Sequence, residues 1–274
     1  MKQNTKQRIF LCGAAAFAAL FLFSGVMLAR QYADQKQSAE AFDQVAALVQ
    51  ETQPEEDTPA MMPTEDETPE ETTVTAYEKY VAVYEQNPDF AGWLTIPGTN
   101  IDYPVMQSID NPNFYLKHAF DGSYSDYGVP YAQENCDLEL SDNIILYGHH
   151  MNDGSMFADL CKYESEDFYR EHSTFTFDTP SGYGNYKIVT VFKTVAYSQD
   201  GFKYYHFVNA ECEEDFEEYL AQCRALALYD TGVTAEYGDR LLTLSTCEYS
   251  RTNGRMVIVA KRIADPPAEV GGDA

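Results

Sequence analysis

Two stretches of this chain carry side chains that can do chemistry together. The first runs Leu241-Leu242-Thr243-Leu244-Ser245-Thr246-Cys247, and eight residues after the thiol Arg255 heads a second apolar run, Met256-Val257-Ile258-Val259-Ala260. A cysteine that closes an apolar strand lies half exposed at a rim. If the two runs are antiparallel neighbours joined by the seven residues 248–254, Cys247 and Arg255 must lie close together. A guanidinium there favours a thiolate and can bind a developing oxyanion. Taken alone, these residues fit a buried inert thiol beside a snorkelling arginine equally well.

The second stretch is Asn143-Ile144-Ile145-Leu146-Tyr147-Gly148-His149-His150, which places two of only five histidines directly after an apolar strand. Thiol chemistry needs a partner that holds and returns a proton near neutral pH, which histidine does. Gly148 permits close backbone approach at that point. A metal site would need more ligands, and Asp153 and His172 stand at no recognised ligand spacing.

The elements that must position these groups read mostly as strands. Between residues 77 and 263 the chain is dense in Tyr, Phe, Val and Ile. Strands are expected at 92–96, 101–106, 128–132, 143–147, 174–178, 186–197, 204–207, 240–246 and 255–262. Helical patterns fall at 77–86, 156–163, 166–171 and 212–228. In the last of these Phe216, Tyr219, Leu220, Cys223 and Leu226 share one face, and acids crowd the first turn, where the helix dipole favours them. Cys223 is thereby expected in the core. About eight strands with few helices point to a mostly β, closed or nearly closed barrel.

The two ends differ from this middle. Residues 9–29 are 21 uncharged, largely apolar positions, preceded by Lys2, Lys6 and Arg8. At about 1.5 Å per residue such a helix crosses a hydrocarbon core of about 30 Å. The basic flank keeps residues 1–8 in the cytoplasm and sends the remainder outside. The run exceeds the usual length of a cleaved signal, so a retained anchor is expected. From Gln31 to Ala76 twelve acidic residues face one lysine, with Pro54, Pro59, Pro63 and Pro69 among them. Residues 30–76 are therefore expected to form a disordered, self-repelling stalk, which 33–49 can begin as a short helix. Residues 264–274 are expected to fray. The formal net charge of −26 argues against nucleic acid as a partner, since that needs a basic footprint.

Six cysteines suggest a disulfide framework, but Cys12 lies in the apolar segment and an odd number remains. Cys212 and Cys223 stand eleven apart on one predicted helix, about 16 Å, too far to bridge.

Together these residues resemble the sortase family. The Thr-Leu-Ser-Thr-Cys run with Arg255 at the head of the next strand is similar to its signature. Tyr147-Gly148-His149-His150 with Asp153-Gly154-Ser155-Met156-Phe157 resembles the histidine region of class B members. Gly92-Trp93-Leu94, Ile101-Asp102-Tyr103-Pro104-Val105, Phe114-Tyr115-Leu116 and Phe120-Asp121-Gly122 resemble that class too, as does the long helix before the last strand pair. The likeness covers about 77–263.

It implies an eight-stranded sortase barrel and a cysteine transpeptidase with His149, Cys247 and Arg255 catalytic and Ser245 and Thr246 binding substrate. Cys247 would attack a Thr carbonyl in the C-terminal sorting signal of a secreted protein. The protein would then pass through a thioester to a cell-wall peptide amine or a pilin lysine in a Gram-positive envelope. No cofactor or metal is implied, and the membrane enters through the N-terminal helix. Two rivals stand beside this reading. An extracellular cysteine hydrolase shares the first half of the chemistry. A non-catalytic surface protein would be expected to end in its own sorting signal, unlike the terminal Pro-Pro-Ala-Glu-Val-Gly-Gly-Asp-Ala.

Overall fold

The computed structural model describes residues 2–51, 74–196 and 201–264. Eight strands close into a barrel in the order β1-β2-β3-β4-β7-β8-β6-β5. These are β1 (Phe90–Thr95), β2 (Asp102–Met106), β3 (Tyr131–Ala132), β4 (Asn143–Tyr147), β5 (Thr174–Asp178), β6 (Asn185–Val195), β7 (Leu241–Glu248) and β8 (Gly254–Ile263). Among the described residues closure leaves no unpaired sheet edge, which a β-rich domain otherwise has to protect. Pairing is antiparallel except at β2–β3 and β4–β7.

The strands are buried on both faces over most of their length, and successive side chains point to opposite faces and so into different clusters. Leu94, Val105, Leu146, Phe177, Leu242, Leu244 and Ile258 belong to one core cluster. Ile145, Val257 and Val259 belong to a second, which the helix α4 (Glu213–Ala225) covers with Phe216, Tyr219, Leu220 and Cys223. Burying each of the large side chains is worth about 1.5–3 kcal/mol. The short helix α3 (Glu166–Glu171) is capped by Ser165, whose side chain accepts from Phe168 N–H.

Two expectations are corrected. Residues 204–207 form no strand; Tyr204–His206 is a 3-10 turn that brings its aromatic rings over the sheet. Around the second predicted helix, the regular part is a 3-10 segment, Ala158–Glu164. At the start of the stalk the helix α1 runs unbroken from Lys2 to Glu51, taking in the helix allowed at 33–49. Its last turns have an apolar stripe, and Val45 and Val49 are buried with Tyr80 and Val83 of α2 (Ala76–Gln86) and with Trp93 of β1. Phe42 packs edge-on to Tyr103 at 5.0 Å. Composition averaged over 30–76 concealed this stripe. The acid-rich remainder of the stalk, residues 52–73, lies outside the described residues, as do residues 265–274 of the tail.

A capping box starts α2: Thr75 Oγ1 accepts from Glu78 N–H at 3.2 Å while the Glu78 carboxylate accepts from Thr75 N–H at 2.9 Å. Such reciprocal caps satisfy two backbone donors that the first turn leaves open.

Candidate active site

The parallel pairing of β4 with β7 places the ends of both strands together. Asn143 lies opposite Leu241 at one end and Tyr147 opposite Ser245 at the other. Residues following Tyr147 therefore emerge beside Thr246 and Cys247. On the other flank β7 pairs antiparallel with β8, and Cys247 stands directly opposite Arg255. The connecting segment is residues 249–253, shorter than the expected seven because both strands extend by a residue or more. Asn253 takes a left-handed conformation, φ 57°, to turn the chain into β8.

Gly148 is required where it stands. A Cβ there would lie 2.5 Å from the ring of Phe157, which is fully buried. Its N–H donates to Ser245 O at 3.2 Å, and Thr246 Oγ1 donates to its carbonyl at 2.8 Å. Phe157 N–H then donates to His149 O at 2.8 Å. The backbone on both sides of the first histidine is thus fastened to β7 and to the core.

The two histidines have different surroundings. His149 Nε2 lies 2.7 Å from Leu116 O. A carbonyl only accepts, so Nε2 carries the proton and Nδ1 is left to exchange one. Burial holds the imidazole below its ordinary value of 6.5, opposed by the hydrogen bond to Leu116. His150 turns the other way. Its Nδ1 donates to Cys247 O at 3.0 Å and lies 3.3 Å from Cys161 Sγ, while Tyr249 Oη donates to its carbonyl at 3.0 Å.

His149, Ser245, Thr246, Cys247 and Arg255 line one open cleft of about 770 Å³ with Tyr131, Gln133, Tyr147 and Tyr204. His150 does not line it. Cys247 is half-buried at the wall. Away from the cleft, burial pushes Cys136 and Cys161 up to about 11 and Cys223 up to about 12. Arg255 is half-buried and Nη1 donates to Gly254 O at 2.9 Å, which settles one end of the guanidinium.

Ser245 and Thr246 are 1% and 2% exposed, and their hydroxyls are engaged, with Tyr204 Oη at 2.6 Å and Gly148 O at 2.8 Å. They shape the cleft floor through these bonds. Reading from sequence missed Tyr204, because a run of aromatic residues at 204–207 has the composition of a strand. Among the described residues no three His, Cys, Asp or Glu side chains cluster to hold a metal. His172 Nδ1 instead lies 2.9 Å from Pro97 O, and Asp153 accepts from Ser155 and Tyr127.

Comparison with known proteins fits this geometry. The sortase domain family model matches residues 94–263. Sortase B of Listeria monocytogenes is 40% identical over 182 residues, spanning 65% of this chain and 71% of that protein. Sortase B of Staphylococcus aureus is 33% identical over 180 residues with the same coverage, 65% and 71%. Among solved structures, the Staphylococcus aureus sortase B–substrate complex superposes with a TM-score of 0.70 at 27% identity, covering 84% of this chain and 98% of that one. Clostridium perfringens sortase B gives 0.61 at 32% identity, covering 67% and 99%.

Proposed function

The chain belongs to the sortase family as a class B cysteine transpeptidase, and from that premise we propose that it joins secreted proteins bearing a C-terminal sorting signal to an amine of the cell wall or of a pilin. The observation that carries the residue assignment is the strand register: Cys247 opposite Arg255 on β8, with His149 leaving the parallel neighbour β4 into the same cleft.

The sulfur of Cys247, its proton held on His149, attacks the carbonyl carbon of the signal's Thr. Charge gathers on the carbonyl oxygen, where Arg255 stabilises it. The C–N bond breaks, His149 delivers the proton to the departing amine, and a thioester remains on Cys247. An acceptor amine gives its proton to His149 and attacks the thioester carbon. The C–S bond breaks, the thiol regains its proton, and an amide links the two proteins. Burial holds the His149 imidazole below its ordinary value, so near neutral pH it rests unprotonated, able to take the thiol's proton and return it to the departing amine. Ser245 and Thr246 hold the cleft floor against which the signal lies. The complex of the staphylococcal sortase B with substrate supports this class of substrate.

Residues 9–29 of α1 anchor the enzyme in the membrane once, with residues 1–8 in the cytoplasm and the barrel outside. An 18-residue window of α1 is apolar enough to cross, and none of it is buried against the protein.

Mass spectrometry of the protein incubated with sorting-signal peptides and triglycine tests the reaction. An amide-linked peptide–triglycine product that requires Cys247 and His149 is expected. Hydrolysed peptide alone, unchanged by any amine offered, would assign a hydrolase instead.

A further inference from the structure

The helix α1 determines how the barrel sits relative to the bilayer as well as holding the chain in it. The apolar run ends at Ala29 and the first charge is Arg30. The helix does not break there. Asp34, about 7 Å further along at 1.5 Å per residue, is already bound to the barrel: its carboxylate accepts from Ser125 Oγ at 3.2 Å and from Asp126 N–H at 3.1 Å. Ser38 is buried, Phe42 packs on Tyr103, and Val45 and Val49 lie in a core cluster. Contacts over four successive turns leave the barrel no freedom to swing about the helix.

One end of the barrel is thereby brought to the level at which the span ends. A crevice of about 690 Å³ crosses this boundary. Phe23, Met27, Leu28 and Arg30 of α1 line one side, and Tyr124 and Met151 of the barrel line the other. A second, adjoining groove joins Leu28 and Tyr32 to Tyr249, to His150 and to His149 of the active-site cleft. Tyr32, Tyr124 and Tyr249 are 68%, 68% and 67% exposed, so each offers an open ring beside the end of the span. Tyrosine, apolar in body and polar at its tip, is the residue type that settles at membrane–water interfaces. The carboxylates nearby are already engaged: Asp34 as above, and Asp126 by Lys117 at 2.9 Å. Arg30 remains at the crevice as a cation for a phosphate.

We infer that this end of the barrel rests on the phospholipid surface, with Tyr124, Met151 and Tyr249 among the headgroups and the crevice occupied by lipid. The active-site cleft is then held at the membrane surface and does not range over the length of a stalk. This rests on the reading of α1 as a membrane anchor, and the experiment separates the two. Full-length protein is placed in phosphatidylcholine–phosphatidylglycerol vesicles whose acyl chains carry bromine, a quencher of tryptophan emission. The native chain supplies the baseline, because its single tryptophan, Trp93, is buried. Tyr124→Trp and Tyr249→Trp report the proposed face. Phe17→Trp reports the span. Tyr237→Trp, an exposed site just ahead of the far end of β7, reports the opposite end of the barrel.

Loss of emission at 17, 124 and 249, with none at 237, is expected. The same tryptophans at 124 and 249 should resist quenching by iodide in the aqueous phase. Quenching at 17 with 124 and 249 behaving like 237 would overturn the docked face and leave the anchor standing. No quenching at 17 would overturn the anchor reading, and the docked face with it.

Discussion

One face of β7 is covered at its start and open at its end, and the two parts do different work. Thr243, Ser245 and Cys247 share that face because side chains alternate along a strand. Over Thr243 lies Tyr219 of α4, with hydroxyl oxygens 3.3 Å apart, and beside it Cys223 is sealed from water. Over Ser245 lies Tyr204, at 2.6 Å. Over Cys247 lies the cleft. The same residue type therefore gives an inert thiol in one place and a candidate nucleophile two turns of pleat away. Access and neighbours decide this, not the presence of sulfur.

Substitutions at the two ends should separate cleanly. Cys247→Ala removes the only group in the cleft that can form the thioester, so mass spectrometry should find no acyl-enzyme, with thermal stability nearly unchanged. His149→Ala should be almost as damaging. At the covered end, Tyr219→Ala should cost about 3–5 kcal/mol in chemical denaturation, as large core truncations do, while the molecules that remain folded keep their turnover. A Cys223→Ala variant that lost activity without losing stability would break the comparison.

Arg255 comes next. Removing one oxyanion donor costs about 10²–10³ in rate, so Arg255→Ala should fall at least that far in kcat/KM. Arg255→Lys should not restore it, because an ammonium lacks the planar fork. His150→Ala should cost about tenfold at most, the scale of one hydrogen bond to the Cys247 carbonyl. If His150→Ala is dead and His149→Ala active, the wrong histidine has been placed in the cleft.

A smaller effect concerns pH. Burial lowers the His149 value below 6.5, so the unfolded chain takes up this proton first as pH falls. Stability should therefore decline as pH drops from about 6.5 toward the lower folded value. The decline should be shallower in His149→Asn, read as the difference between the two proteins' thermal midpoints across that window. Equal slopes would show that the ring is not held neutral by its surroundings. The smallest effect should be at the covered middle of the face, where Ser245→Ala loses one hydrogen bond and about 1 kcal/mol.

Much of this was legible in the sequence because it is local. The strands bearing Asn143 to Tyr147 and Leu241 to Cys247 announce themselves by apolar runs, and the spacing from Cys247 to Arg255 suffices to pair them across a turn. What could not be read was the covering. Tyr204 reaches Ser245 across 41 positions, and no periodicity reports such a contact. The packing of α1 on the barrel escaped for a different reason. Its helix is amphipathic only over the few turns that meet α2 and β2, and acidic, proline-rich residues beyond it dominated the composition.

The parallel join of β4 to β7 also sets when the site comes into being. Asn143 waits for Leu241, nearly a hundred residues later in the chain, and contacts so distant form slowly because a long loop must close first. Synthesis proceeds from the N-terminus, so the histidine is delivered well before the thiol and the arginine. Until the last two strands have been added, the proposed nucleophile Cys247 and its neighbour Arg255 are missing, so on the proposed assignment the half-built protein can form no acyl-enzyme.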